Sequence, residues 1–321
     1  MADTTRTQIT EEVGNFYSRT LLEKAIPNFV HNRFTQIRDI PANSGTADIK
    51  FRRYGLLTAV TTALSEGVTP SGSQLSITEV NATVLQYGDY VTLTDVVQFE
   101  TIDPILTETA DILGEQVGDT LDQLARDVMA ATTTKQYAGA ATSTITVTSS
   151  MKISRDEVKE AVRTLQTNLA KPITSMVNPS TGYNTTPLNR AYVGIISPST
   201  LYDLDAVTGW IPVEKYPNKG DVMQDEQGSV AGVRFVMTTN AKVRDGEGDS
   251  GIDVHSTLIF GQNAVGQTRI SGQTLKNIVK PLGSAGTADP LDQRSTSGWK
   301  LTYVAMILNA NWILDLQHAV S

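Results

Sequence analysis

A strand-like run that leads directly into one very long helical pattern constrains the fold of this chain more than any other feature. The strand-like run covers Tyr87–Val97, and the helical pattern extends from Asp103 to about Ala131. Apolar residues recur in the helical part at spacings of 7, 4, 4, 3 and 4, which places them on one face of a helix. These residues are Leu106, Leu113, Val117, Leu121, Leu124 and Val128. At 1.5 Å per residue the helix would be about 40 Å long, whereas the average helix has about 11–12 residues, so the pattern predicts a structural spine.

The start of this helix carries capping signals, and its interior contains two glycines. Asp103 is a candidate N-cap, and Pro104 occupies the favoured first helical position. Gly114 and Gly118 each cost about 1 kcal/mol relative to alanine in a helix interior. Their spacing indicates either that another backbone packs closely there or that the glycines have no structural role, and the sequence leaves both interpretations open.

Before the spine, the sequence predicts a helix, an irregular segment and an extended hairpin. A capping threonine and an apolar stripe predict the helix over residues 10–26, and residues 28–44 follow no regular pattern. The segment Gly55–Ser73 is rich in small polar residues and turn residues, so it has little to bury. It separates the first two of three strand-like runs and predicts an arm that projects from the body. The runs are Ala47–Tyr54, Gln74–Leu85 and Asp89–Phe99.

After the spine, helices and strands are interspersed without a regular repeat, which predicts an α+β fold. Residues 132–150 are small and polar and indicate a domain boundary. Ser154 and Glu157 form a capping box that begins a helix, and Ser197 caps a shorter one. The last two predicted strands are expected to pair with each other through a turn at Asn309–Asn311. The predicted strands are Ser143–Thr148, Ala191–Ser197, Val230–Thr239, Thr257–Phe260, Gly298–Leu308 and Trp312–Leu316.

The composition is that of a globular protein and argues against several classes of function. The chain has 321 residues, of which 40% are hydrophobic and 19% charged. Its net charge of −8 argues against a general affinity for nucleic acid. The chain contains no cysteine, which excludes disulfides and thiol catalysis. We find neither a signal-peptide pattern nor an apolar run approaching the ~18 residues that cross a membrane, so no membrane association is expected.

The residues that usually carry catalysis or bind metals are sparse. His31, His255 and His318 are scattered, and none has a metal-ligand partner three or four residues away. The sequence contains no Gly-x-Ser-x-Gly elbow and no phosphate-binding loop. The acidic stretch Asp245–Asp253 departs from the calcium-binding EF-hand pattern at two positions, which favours a solvated surface turn over a weak cation site. We therefore expect no enzymatic activity, no cofactor and no bound metal.

The stretch Phe51–Tyr54 alternates aromatic and cationic residues. Strand alternation places Arg52 and Tyr54 on one face and Phe51 and Arg53 on the other. In an acidic protein, a contact with an acidic patch on a neighbouring chain is the favoured interpretation. A plain exposed strand and a nucleic-acid contact are the alternatives. The three tryptophans are expected to be core or interface anchors, and they are Trp210, Trp299 and Trp312.

Several blocks in the same order resemble the major capsid proteins of tailed bacteriophages, specifically the N4-like major capsid family. The resemblance covers nearly the whole chain and is weakest over residues 205–250. The blocks are Phe16–Pro27, Phe51–Gly55, Leu64–Pro70, Gln86–Asp127, Asp289–Arg294, Gly298–Lys300 and Ile307–Asn309.

This resemblance implies the α+β capsid fold of the Hong Kong 97 type. The expected domains are an N-terminal arm at 1–44, an extended loop (E-loop) at 45–92, and a peripheral domain with the spine helix at 93–150. An axial domain is expected at 151–281, followed by a return to the peripheral domain at 282–321. The E-loop would lie over the adjacent subunit. Six residues are the candidates for contacts between subunits, namely Arg52, Arg53, Tyr54, Glu66, Arg294 and Trp299.

The function implied by the resemblance is self-assembly without catalysis. The chain would form hexamers and pentamers of an icosahedral phage head that encloses double-stranded DNA without sequence-specific binding. Portal and scaffolding proteins, and in some heads a decoration protein, are the expected partners. The protein would be made in the bacterial cytoplasm and become part of the virion. An encapsulin-like compartment shell and a mixed α+β enzyme are the alternative functions.

Overall fold

The computed structural model describes residues 30–41, 48–55, 57–64, 66–67, 69–100, 105–177, 185–216, 220, 222–270, 275–284 and 289–321. The helix predicted over 10–26 and the predicted caps Asp103 and Pro104 lie outside these residues. Four helices are α1 (Asp95–Glu100), α2 (Ile105–Ala130), α3 (Arg155–Thr167) and α4 (Pro198–Asp205). The strands of the first half are β1 (Gln36–Ile40), β2 (Asp48–Tyr54), β3 (Ile77–Thr83), β4 (Leu85–Thr94) and β5 (Lys135–Tyr137). The next strands are β6 (Ile173–Val177), β7 (Thr185–Ile196), β8 (Ile211–Pro212), β9 (Glu226–Val230), β10 (Val233–Met237) and β11 (Val243–Arg244). The last strands are β12 (Val254–Phe260), β13 (Val265–Ile270), β14 (Leu275–Lys280), β15 (Arg294–Ile307) and β16 (Ile313–His318).

A five-stranded sheet is built around β15 and carries α2 on one face. Its order is β1-β13-β15-β14, and β4 also pairs with β15. The first half of β15 lies between β4 and β14, and its last residues pair with β13. Helix α2 has 26 residues, which is about 39 Å, and its apolar stripe packs on Trp299, Leu301 and Tyr303. The predicted stripe is confirmed for the members whose side chains the structure describes, which are Leu113, Val117, Leu121, Leu124 and Val128.

A nine-stranded mixed sheet forms the second layer. Its order is β5-β16-β12-β7-β10-β9-β8, with β11 on β12 and β6 on β7. Every residue of β12 is buried, because apolar clusters cover both faces of the sheet. Helices α3 and α4 cover one face through Val158, Leu165 and Leu204. The other face packs against the end of α2 through Met129.

The strands β2 and β3 form a separate two-stranded hairpin. Their antiparallel register runs from Asp48 opposite Thr83 to Tyr54 opposite Ile77. Every described residue from 57 to 76 between them is exposed. The predicted hairpin with an arm that buries little is therefore present.

Two predicted strands are wrong, one over part of its length and the other throughout. The run predicted as Asp89–Phe99 is a strand only to Thr94, because β15 begins at Arg294 and offers no partner beyond it; α1 follows. The run Ser143–Thr148 contains a 3-10 turn, since the Thr146 hydroxyl accepts hydrogen bonds from the backbone N–H groups of Thr142 and Ser143.

The predicted pairing of the last two strands is also wrong. The strands β15 and β16 lie in different sheets, and the 3-10 turn Ala310–Trp312 carries the chain from one sheet to the other. The reason is that each strand has better partners elsewhere: β15 pairs with β4, β13 and β14, whereas β16 pairs with β12 and β5. The predicted strand Val230–Thr239 is a hairpin, because Ala231 and Gly232 have positive φ values and reverse the chain between β9 and β10.

The local capping predictions are confirmed, and the structure decides between the two interpretations of the glycines at Gly114. Ser154 and Glu157 form the reciprocal capping box of α3, and the Ser197 side chain caps α4. Gly118 is buried on the spine, whereas Gly114 is exposed and a Cβ there would meet nothing within 4 Å. Close backbone packing at Gly114 is therefore wrong, because its side of α2 faces away from the sheet.

The two sheets do not follow the predicted domain ranges. The range 151–281 predicted as axial contributes β13 and β14 to the five-stranded sheet. The range 282–321 predicted as a peripheral return contributes β16 to the nine-stranded sheet. The domain assignment remains a prediction from the sequence.

Candidate assembly surfaces

The hairpin arm, residues 55–76, exposes apolar side chains that its own chain does not cover. Val60 and Leu64 are 80% and 74% exposed, and Leu57 and Leu75 are also exposed. Glu66 lies at a turn where Gly67 has a φ of 75°, a conformation that glycine adopts without strain. An arm with this surface contributes no core to its own subunit and has apolar area available for another molecule.

The base of the hairpin has an apolar face and a charged face. Phe51 stands opposite Val80, and both are half-buried. On the other face, the Arg52 Nε lies 3.2 Å from a Glu79 carboxylate oxygen, and the Lys50 Nζ lies 3.7 Å from the other oxygen. Because these side chains are exposed, the pairs add little stability. The alternation predicted for Phe51–Tyr54 is confirmed.

A cleft of about 530 Å³ separates the hairpin base from the body. Strand β2 contributes Phe51 and Arg53 to it, β1 contributes Arg38, and the turn between the two sheets contributes Trp312. Trp312 also donates its indole N–H to the Asn168 carbonyl at 3.1 Å, which fixes the ring between the apolar clusters of the nine-stranded sheet. The hairpin therefore stands beside the body at its base.

Residues 30–35, which we call the anchor segment, are bound to the rest of the body by polar contacts. The backbone N–H of His31 donates to Asp122 Oδ1 at 2.8 Å, and His31 Nδ1 lies 2.8 Å from Asp122 Oδ2. Both side chains are 0% exposed. Arg33 donates to the Gln224 carbonyl at 2.7 Å and pairs with Asp225 at 3.1 Å. The anchor segment is thereby bound to the spine and to the loop before β9. Sequence reasoning missed this pair, because His31 and Asp122 are 91 residues apart.

The structure places the six predicted contact residues in different environments. Arg52, Arg53 and Tyr54 lie together and exposed on β2, Glu66 is at the arm turn, and Arg294 begins β15. Trp299 is 7% exposed, packs under α2 and donates its indole N–H to Gln116 Oε1 at 3.0 Å. Of the two roles left open for this tryptophan, the structure shows the core anchor. Contacts of these residues between subunits remain predictions.

The two remaining histidines are structural. His255 and His318 stack across β12 and β16 with ring centroids 6.4 Å apart. His255 Nδ1 lies 2.9 Å from the hydroxyl of Ser197, the cap of α4, and both residues are buried. Burial lowers the pKa of His255, and it lowers the pKa of His318 to about 4. Both rings are therefore neutral at pH 7 and serve as packed hydrogen-bonding groups.

The acidic stretch Asp245–Asp253 forms a hydrogen-bonded surface loop. The Gly246 N–H donates to the Asp253 carboxylate at 2.8 Å, and the Asp249 N–H donates to the Val147 carbonyl at 2.9 Å. Within the described ranges, no group of three His, Cys, Asp or Glu side chains could hold a metal ion. A search of the same residues finds no helix with the length and apolar character needed to span a membrane.

Comparison with solved structures defines the class of fold. No protein-family profile and no curated protein matches the chain. Solved bacteriophage capsid chains match it over nearly their entire lengths, and the chain therefore has the fold of bacteriophage capsid proteins. The coarse prediction of an α+β capsid fold is confirmed.

Three structures illustrate the likeness. The capsid of Ralstonia phage GP4 has a TM-score of 0.73 at 12% identity, covering 97% of this chain and 96% of that one. The capsid of Cyanophage P-SCSP1u has a TM-score of 0.64 at 15% identity, covering 100% and 97%. The head of Helicobacter pylori bacteriophage KHP40 has a TM-score of 0.65 at 11% identity, covering 100% and 98%.

Proposed function

We propose that this chain is a major capsid protein of the Hong Kong 97 type that assembles into hexamers and pentamers of an icosahedral phage head. The observation that carries the proposal is the match of the whole chain to bacteriophage capsid chains, with coverage of at least 96% on both sides for the three structures described. The head would enclose double-stranded DNA. Membership of the N4-like family is part of this proposal.

The exposed arm supports a function in assembly. Its apolar residues, such as Val60 and Leu64, have no partner surface among the described residues of their own chain. Covering exposed apolar area with another molecule favours association, and the net gain is what remains after the entropy cost of ordering the arm. In a closed shell every subunit makes such contacts with several neighbours, so individually weak contacts give a strong assembly. We assign the arm to the E-loop, which lies over the adjacent subunit.

Assembly in a phage requires further components. Portal and scaffolding proteins, and a decoration protein in some heads, are the partners that we propose. The subunit would be synthesised in the bacterial cytoplasm and then become part of the virion. The chemistry of the described residues fits this passive role, because the buried rings of His255 and His318 are occupied by internal hydrogen bonds.

Electron microscopy of the expressed protein tests the proposal. We expect closed particles or capsomers from the intact chain, co-expressed with its scaffolding protein if needed. A variant lacking Gly55–Ser73 should remain a folded subunit with a cooperative thermal transition and form no shells. Normal particles from this variant would contradict the E-loop assignment.

The contents and size of the product separate the proposal from its alternatives. Nuclease-protected DNA in purified heads supports a phage capsid, whereas a packaged enzyme would identify an encapsulin-like compartment. A small oligomer on size-exclusion chromatography, under every assembly condition, would favour a soluble enzyme and refute the shell.

A further inference from the structure

The face of the five-stranded sheet that points away from α2 carries lysines on neighbouring strands. Trp299 and Leu301 of β15 pack under α2, so Lys300 between them points to the opposite face. Lys276 of β14 stands directly opposite Lys300 in the antiparallel ladder, and Lys280 lies on the same face four residues further along β14. All three side chains are exposed. We call this face, with the three lysines, the basic face.

The arrangement of these lysines is unfavourable in the isolated subunit. Like charges directly opposite each other on a sheet are destabilising, and the Cβ atoms of such a pair are about 5 Å apart. In the part of the chain that the structure describes, no carboxylate lies within 4.0 Å of the three amines. A chain with a net charge of −8 thus concentrates cations on one face and leaves them without acidic partners. This arrangement points to an anionic group supplied by another molecule.

The basic face contains a trough that a narrow segment of polypeptide fits. The trough has a volume of about 620 Å³ and is lined by Tyr90, Ile278, Lys280 and Lys300. Its floor includes Gly88 and Gly298, where a Cβ would lie 2.7 Å from the Trp299 carbonyl oxygen and 2.6 Å from the Tyr90 Cβ. Arg294 lines one end, and the buried carboxylate of Asp289 there accepts the Arg294 backbone N–H at 2.7 Å. Apolar walls and a glycine floor favour a peptide segment over a chain of phosphates.

The chain itself contains a segment with the complementary chemistry. The loop Asp245-Gly-Glu-Gly-Asp249 exposes three carboxylates that alternate with glycines. Among the described residues, no cation lies within 4.0 Å of these carboxylates. The loop is held in place by the bonds from Gly246 to Asp253 and from Asp249 to Val147, so it is presented to a partner at little entropic cost.

The lysines lie along β14 and β15, and the three carboxylates lie together at one exposed turn. Four residues along a strand separate Lys276 from Lys280 by about 14 Å. The acidic loop is a turn, in which Gly246 has a φ of 66° and the Gly248 N–H donates to the Ile252 carbonyl at 3.0 Å. Gly246 is exposed, so the loop backbone can approach the trough at that position, whereas Gly248 packs against Ile252 and Val254 of its own chain.

We infer that the acidic loop of one subunit docks on the basic face of a second copy of this chain. Three carboxylates and three ammonium groups would form a charge network between subunits, flanked by the apolar walls of the trough. This inference rests on the proposed function, because it assigns one of the contacts through which the shell assembles. The inferred contact also gives the acidic loop a role in assembly, whereas metal binding does not provide a role for this loop.

Charge reversal tests the contact. The variant K276E/K280E/K300E exchanges one exposed like-charge pair for another of the opposite sign, so it should stay folded as the wild type does and should form no particles. The variant D245K/E247K/D249K should fail in the same way. A protein that carries all six substitutions has the wild-type net charge, and its loop and basic face are again oppositely charged, with the two signs exchanged. This protein should form particles. The matched control K135E/K171E/K215E reverses three other exposed lysines and should assemble as the wild type does.

Each result decides between the inference and its alternatives. Particle formation by either triple variant alone would overturn the loop contact while leaving the capsid assignment intact. The absence of particles from the control variant K135E/K171E/K215E would have the same consequence. Failure of the combined variant would also overturn it. Loss of bound DNA in the lysine variant without rescue by the loop variant would identify nucleic acid as the occupant instead. Absence of particles from the wild type under all conditions would refute both the contact and the proposed function.

Discussion

The buried pair of His31 and Asp122 gives a sharp prediction for stability. Asp122 is 0% exposed and accepts two hydrogen bonds from His31, one from the ring and one from the backbone N–H. Asp122→Ala leaves the ring and the N–H buried without an acceptor. Leaving a buried donor without its acceptor costs about 1–3 kcal/mol, and two donors lose their acceptor here, which is a large fraction of a typical stability of about 5–15 kcal/mol. We therefore expect the urea midpoint of the unassembled subunit to fall strongly.

Two further variants isolate the cause. Asp127→Ala removes a carboxylate from the same helix, but Asp127 is 53% exposed and its pairs with Arg126 and Lys242 should contribute less than about 1 kcal/mol. Asp122→Asn keeps the volume and one acceptor, so it should cost less than the alanine variant. Equal midpoints for the Asp122→Ala and Asp127→Ala proteins would refute the reasoning that the anchor segment is held through Asp122.

Three more predictions follow from the core. Val117→Asp places a charge on the buried stripe of α2 and should abolish soluble expression, so a soluble protein with a cooperative melt would contradict the packing of the spine. Gly88→Ala brings a Cβ to 2.7 Å from the Trp299 carbonyl oxygen and should cost about 1–3 kcal/mol in urea unfolding, against no measurable loss for Gly114→Ala. The pKa of His318 is lowered to about 4 in the folded protein, against 6.5 in the unfolded chain. Between these two pH values the unfolded chain binds a proton that the folded protein does not. The contribution of His318 to the free energy of unfolding is therefore fully present above pH 6.5 and is lost as the pH falls toward 4. Between pH 7 and pH 5 the loss should be about 2 kcal/mol, and His318→Gln should remove that part of the pH dependence.

Local features of the fold could be predicted from the sequence because their determinants lie close together in the chain. The stripe from Leu113 to Val128 needs only helical spacing, and the capping box of Ser154 and Glu157 needs only three residues. The hairpin of β2 and β3 follows from two alternating runs and a polar connection. In each case a periodicity or a cap decides the structure before tertiary contacts form.

Strand pairing could not be predicted, because it depends on partners that are distant in the chain. The strand β14, with the sequence Leu-Lys-Asn-Ile-Val-Lys, shows little alternation and is a strand because β15 pairs with it. The last two predicted strands are neighbours in sequence, yet they belong to different sheets. The basic face could not be predicted for the same reason, because only the register of β14 against β15 places Lys276 opposite Lys300.

The placement of β15 gives the subunit a mechanical property. Strand β4, which follows the hairpin strand β3 along the chain, pairs with β15 over ten residues, from Leu85 opposite Tyr303 to Thr94 opposite Arg294. The hydrogen bonds of this ladder lie perpendicular to the strands, so a pull along the arm loads all of them at once in shear. From β15 the load passes through the short turn Ala310–Trp312 into β16 and the nine-stranded sheet. Tension applied at the arm is thus carried by a continuous backbone path that crosses both layers of the subunit.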